Sequence, residues 1–178
     1  DAIKHECGLA FIRLRKPFSY YMQKYGTALY GLNKLYLLME KQHNRGQDGA
    51  GLATIKLDTE PGYPFMYRQR SIATQSIAEL FQNIGKEISE LERHQPDIRK
   101  HPGLMKGHLP FMGELLLGHL RYGTQGKNNS EFCHPFIKKN VVPARNLAMA
   151  GNFNIVNTEE LFSLINIDPG EFQKQSDL

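Results

Sequence analysis

The sequence predicts an α+β fold of two antiparallel sheets with helices packed on their outer faces. Three observations predict it. Two long stretches carry apolar residues at helical spacing, several short apolar runs read as strands, and the two kinds of element do not alternate. Strict alternation would call for a doubly wound parallel sheet; its absence disfavours one.

Residues 8–14 read as the first strand, with Leu9, Ala10, Phe11 and Ile12 in sequence and Pro17 ending it. Residues 20–42 place Tyr25, Leu29, Leu32, Tyr36 and Met39 at helical spacing and predict one long helix. Gly26 and Gly31 inside it cost propensity without breaking the period. The segment 45–51, Arg-Gly-Gln-Asp-Gly-Ala-Gly, is a glycine-rich turn. Residues 52–57 alternate as a strand, 65–70 supply a partner, and Pro61-Gly62 is the natural turn between them. Ile77, Leu80, Phe81, Ile84, Ile88 and Leu91 share one face of a second helix over 76–91.

The stretch 94–113 is rich in Pro, Gly and His and reads as a mobile loop. Residues 115–122 form a near-continuous apolar strand, expected to be buried on both sides. Two more strands are expected over 136–142 and 146–150. A short helix over 158–165, capped by Asn157 or Thr158, closes the order.

Composition narrows the function classes. The 178 residues are 40% apolar and 22% charged, which fits a globular domain with a real core. No apolar run reaches the ~20 residues needed to span a bilayer, so no membrane partner is expected. The polar start, residues 1–6, has no secretion-signal core, and the cytoplasm is the default location. Two cysteines, Cys7 and Cys133, do not make a disulfide scaffold, and no ligand spacing for a metal is present. The net charge of +4 is small and dispersed, which argues against a nucleic-acid footprint.

Cys7 directly precedes the first strand. A cysteine at a chain start can be deprotonated by its own α-amino group, making one residue both nucleophile and base. That chemistry requires residues 1–6 to be removed. By position alone, a small buried hydrophobe is the commoner role for such a cysteine.

Three further segments shift that balance. Cys7-Gly8, Arg45-Gly46-Gln47-Asp48-Gly49-Ala50-Gly51, Gly118-His119-Leu120-Arg121-Tyr122-Gly123-Thr124 and Gly151-Asn152-Phe153 occur in this order. Together they resemble the class II, N-terminal nucleophile, glutamine amidotransferases, and within them the amidophosphoribosyltransferase branch. Gln47 favours that branch over relatives that carry Tyr or Pro there. Glu6 before Cys7 resembles a propeptide junction, and the resemblance implies a leader over residues 1–6 and an amidotransferase domain over 7–178.

The resemblance implies a four-layer αββα sandwich and hydrolysis of glutamine through a γ-glutamyl thioester on Cys7. Ammonia would pass to a synthase domain, in cis or in trans, that is not in this chain. Arg121 matches the arginine that grips the glutamine carboxylate, with Tyr122 beside it, and Asp177 matches the aspartate that takes its ammonium group. Arg45, Gly46 and Gln47 fall in the loop that closes over glutamine, and Gly151 and Asn152 in the oxyanion segment. No cofactor is implied, and the iron–sulfur cluster of some relatives cannot be built from two cysteines. Members are often homo-oligomers, though nothing in the sequence marks an interface.

The pattern breaks at Leu147-Ala148-Met149-Ala150-Gly151-Asn152, where a standard member reads Leu-Ala-His-Asn-Gly-Asn. Ala150 replaces the asparagine that donates to the oxyanion. The alternative is therefore a glutamine-sensing domain that has lost its catalysis; a third reading is an amide hydrolase of another specificity, against which Arg121 and Gln47 argue. Cys133 and His134 are neighbours on an extended segment and point apart, so Cys133 reads as structural.

Overall fold

The computed structural model describes residues 6–123, 129–152, 156, 157, 160 and 163. Alternation of side chains along four strands decides how its layers stack. β1 (Gly8–Arg13), β2 (Ala50–Ile55), β3 (Met66–Ser71) and β4 (Leu115–Leu120) form one sheet in the order β1-β4-β2-β3, every pair antiparallel. One face presents Ala10, Leu52, Leu116 and Leu120, all at or below 5% exposure. Against this face lie α2 (Tyr30–Glu40), through Leu32, Leu35 and Met39, and α3 (Ser76–His94), through Leu80 and Ile84. A fully buried leucine contributes about 2 kcal/mol of transfer free energy, so this interface is the main source of stability.

The opposite face carries a second, two-stranded antiparallel sheet, β5 (Phe136–Lys138) and β6 (Leu147–Met149). Ile137 packs there on Ala53 and Met66, with Ile55, Phe65 and Ala148 around them. The approach is close enough to require a glycine: a Cβ on Gly51 would lie 2.0 Å from the His134 carbonyl oxygen. The second sheet covers only the β2–β3 half, and Leu9 and Phe11 on β1 remain 48% and 60% exposed.

The described residues thus supply helix, sheet and sheet layers of an α+β fold. The expected helix over 158–165 lies outside the described residues. Among the described residues no helix is long and apolar enough to cross a membrane.

The long first helix is corrected to two. α1 (Phe18–Tyr25) stops at Gly26, which adopts a left-handed φ of 74° and donates its N–H to the Met22 carbonyl at 2.9 Å. That is the ordinary glycine helix stop. α2 then begins at Tyr30, and the rings of Tyr25 and Tyr30 stack across the break with centroids 4.3 Å apart. Both helices feed the same core, which is why the apolar spacing read as continuous.

The expected mobile loop is also corrected. Residues 98–100 make a 3₁₀ turn, α4 (Pro102–His108) follows, and Ile98, Met105, Leu109, Phe111 and Met112 are buried in the main core. Lys106 anchors the segment through Glu114 at 2.5 Å and the Leu57 carbonyl at 2.5 Å. β4 ends at Leu120, two residues early, and is buried on the helix side while Leu115 and Leu117 are partly open on the other. β5 and β6 are three residues each, shorter than the runs over 136–142 and 146–150 suggested.

Candidate functional site

Antiparallel pairing brings three of the four sequence blocks to one end of the large sheet. Gly8 stands opposite Leu120 on β4, and so does Ala50 of β2. Cys7, entering β1, therefore meets Arg121 and Tyr122, leaving β4, and the turn 45–49 that leads into β2. The Tyr122 N–H donates to the Cys7 sulfur at 3.5 Å, and the thiol lies 4.0 Å from the Tyr122 carbonyl. Cys7 is partly exposed.

The turn is tied to the β4 exit by backbone bonds on both sides of one residue. Arg121 donates its N–H to the Gly49 carbonyl at 2.7 Å and accepts from the Asp48 N–H at 3.0 Å. The Asp48 carboxylate accepts the Gly123 N–H at 2.8 Å. Gly46 is buried against the Leu120–Arg121 backbone, while Gln47 is exposed. Arg45 is also exposed and pairs with Glu6 at 2.8 Å.

Arg121 is 5% exposed, an unusual place for a guanidinium. It lies over the Phe132 ring at 5.9 Å and close to Gly123. Cys133, fully buried beneath the turn, has its thiol pushed up by burial, an effect that Arg121 and Arg70 oppose. A raised thiol is a poor nucleophile. Cys133 and His134 do diverge: the sulfur faces the Ser71 carbonyl at 3.9 Å, while the imidazole meets His119 at a tilt and Phe136 edge to face.

The fourth block reaches the sheet through two histidines. His119 of β4 lies 3.3 Å by Nε2 from the Gly151 carbonyl, and the Gly151 N–H lies 3.4 Å from His134 Nδ1. The imidazoles approach each other at 3.3 Å, His119 Nε2 to His134 Nδ1. A carbonyl only accepts and an N–H only donates, so the backbone fixes both tautomers. His119 carries its proton on Nε2, and His134 offers Nδ1 as a lone pair. Burial lowers His119 to about 4, and the neighbouring His134 and Arg121 push the same way. Burial also lowers His134, its backbone bond with Gly151 works against this, and Arg121 adds to the lowering.

Strand alternation relates this cluster to Cys7. Leu9 faces His119 in the register, and Cys7 is the next residue on that face of the strand. Of the residues named from sequence, Cys7, Arg121, Tyr122, Gly46 and Gly151 thus converge on one sheet end. Arg45, Gln47 and Asn152 stand exposed around it. Asp177 lies outside the described residues. His119 and His134 were missed. The first sat inside a quoted block, and alternation on β4 could have placed it on the Cys7 face; nothing local marks the second.

Among the described residues no cluster of three or more His, Cys, Asp or Glu side chains could hold a metal ion. An apolar groove between α2 and α3, lined by Leu32, Tyr36, Phe81, Ile84 and Ile88, contains none of the site residues.

No protein-family model matches the chain, and no solved structure matches it. Among curated proteins it is similar to the amidophosphoribosyltransferase of Methanocaldococcus jannaschii, 30% identical over 128 residues. The matched region is 72% of this chain and 20% of the relative, so the chain spans about a fifth of that protein's length. The similarity is distant and partial.

Proposed function

We propose that this chain is the glutamine-hydrolysing part of an amidotransferase, with Cys7 as its nucleophile. The observation that carries the reading is the meeting of Cys7 with Arg121 and Tyr122 at the end of β1 and β4, the Tyr122 N–H 3.5 Å from the sulfur. The distant similarity to an amidophosphoribosyltransferase supports the same chemistry.

In this reading residues 1–6 are removed, and the freed α-amino group of Cys7 takes the thiol proton. The sulfur attacks the glutamine side-chain amide carbon. The carbon–nitrogen bond then breaks, ammonia leaves, and water hydrolyses the thioester to glutamate. Arg121 holds the α-carboxylate of glutamine with two parallel hydrogen bonds, stronger for being in a poorly solvated place. Asp177 takes the α-ammonium group, and Arg45, Gly46 and Gln47 cover the bound amino acid. The ammonia acceptor, on another part of the protein or a partner, is phosphoribosyl pyrophosphate.

Ala150 weakens the oxyanion site and favours a second reading, a glutamine-sensing domain without turnover. Loss of one oxyanion donor commonly costs ~100- to 1000-fold in rate. Intact mass of the longest natural form of the protein, with and without a glutamine-like diazoketone, separates the two. Loss of residues 1–6 and one adduct that Cys7→Ala abolishes supports the hydrolase. Glutamine binding by calorimetry with no adduct and no glutamate supports the sensor. Neither binding nor adduct would sink both.

A further inference from the structure

Gly151 is held by both of its backbone polar groups, and each is held by a different imidazole. His119 donates Nε2–H to its carbonyl at 3.3 Å, and His134 accepts its N–H on Nδ1 at 3.4 Å. The contact between the rings, 3.3 Å from His119 Nε2 to His134 Nδ1, fits the same assignment, because one lone pair can accept from two N–H groups. His119 reaches this place from the middle of the large sheet, 2% exposed, and His134 from the segment leading into β5. Gly151 directly follows Ala150, where the standard pattern has a side-chain donor, and it keeps the only backbone N–H of that pair of oxyanion donors.

We propose that His134 is a positioning residue that latches the Gly151 N–H and releases it for an oxyanion. The inference rests on the glutaminase reading for its purpose, but the latch itself is a property of these three residues. With Nδ1 unprotonated, the Gly151 N–H is spent on imidazole and is not offered to a bound anion. A proton on Nδ1 removes the acceptor and sets the new N–H against both the Gly151 N–H and the His119 Nε2–H. The Nδ1–H and the Gly151 N–H must then part, and both become donors at a place where Ala150 offers none. His119 keeps the Gly151 carbonyl fixed, so the freed N–H turns about a defined point.

The neighbourhood favours the latched form near neutrality. Among the described residues, the charged or titratable groups around the segment include His119 on β4, Arg121 at its exit, Arg70 on β3 and Cys133 beside His134. Burial and the Arg121 guanidinium oppose a proton on His134, and its backbone bond with Gly151 favours one. A bound oxyanion would add negative charge beside the ring and draw the proton onto Nδ1.

The test follows the Gly151 amide rather than activity. In the ¹⁵N-labelled chain, the Gly151 N–H resonance should move with the same pH midpoint as the His134 imidazole, below the ordinary histidine value of roughly 6.5. In His134→Gln, whose side-chain carbonyl accepts without titrating, the Gly151 resonance should stay flat through that range. A Gly151 amide indifferent to His134 titration in the unaltered protein overturns the latch, and this arm needs no variant to fold. Labelling of Cys7 by the diazoketone reports the glutaminase reading separately. A moving Gly151 amide with no Cys7 adduct would keep the latch and discard that reading; an adduct with a motionless amide would do the reverse.

Discussion

The Tyr122 N–H points at the Cys7 sulfur from 3.5 Å, across the ends of two antiparallel strands. The Tyr122 N–H is a backbone donor at an exposed site, so water can take the place of the sulfur in a Cys7 variant that keeps the β1–β4 pair. Cys7→Ser and Cys7→Ala should therefore fold with unchanged melting temperature while losing the diazoketone adduct. The check is intact mass paired with thermal unfolding. An adduct that survives in Cys7→Ala, on Cys133 for instance, would exclude Cys7 as the nucleophile.

Gly51 predicts how tightly the two sheets are coupled. Its missing Cβ would sit 2.0 Å from the His134 carbonyl oxygen, a backbone atom with no easy way to yield. Gly51→Ala should cost at least about 2 kcal/mol through overpacking and displace His134 from Gly151. Gly85 is the control, since nothing lies within 4 Å of its would-be Cβ inside α3. Gly85→Ala should gain about 0.5–1 kcal/mol from helix propensity. Urea unfolding of both variants gives opposite signs if this packing is right, and a neutral Gly51→Ala would refute it.

The large sheet was legible because its strands obey alternation: Ala10, Leu52 and Leu116 face helices, and their neighbours face away. The order of motifs put Cys7 and Arg121 in one expected site, but the β1–β4 pairing that joins them is seen only in the structure. Two things were not legible. Gly26 reads as a tolerated interior glycine until its φ of 74° is seen, because the core pulls α1 and α2 into the same apolar period. The segment 94–113 looks like a loop by composition, yet long-range partners fix it: Met105 is 1% exposed, and Lys106 finds Glu114 and Leu57. The His119–His134–Gly151 cluster joins residues 15 to 32 positions apart, a relation no local pattern encodes.

Glu114 is the centre of that anchored segment. Its carboxylate accepts from Lys106 Nζ at 2.5 Å and from the Leu57 N–H at 2.8 Å, and Lys56 Nζ donates to the Lys106 carbonyl at 2.6 Å. Burial lowers Lys56, the Lys106 ammonium lowers it further, and Glu114 opposes both. Glu114→Gln keeps the shape and leaves two ammonium groups without a counter-charge. The expected cost is about 2 kcal/mol, below the fully buried range because both partners keep some solvent. Amide exchange in α4 should accelerate before that in α2. Equal protection of α4 in the variant and the parent would show that apolar burial alone holds the segment.

His119 sets a pH window for stability. Its folded value is lowered to about 4, against about 6.5 for an unfolded histidine. The unfolded chain therefore binds more protons between these values, and stability rises with pH there. The contribution is complete above pH 6.5 and is lost as pH falls towards 4. Between pH 7.5 and 5.5, before most carboxylates titrate, the loss from this one group should be about 1.3 kcal/mol. His134, lowered in the same direction, adds to it. His119→Gln removes its share of the titration and should make the stability profile shallower over those two pH units, whatever it does to stability at neutral pH. Urea midpoints at the two pH values decide the matter: if the parent and His119→Gln lose stability equally, His119 is not neutral and buried in the folded protein.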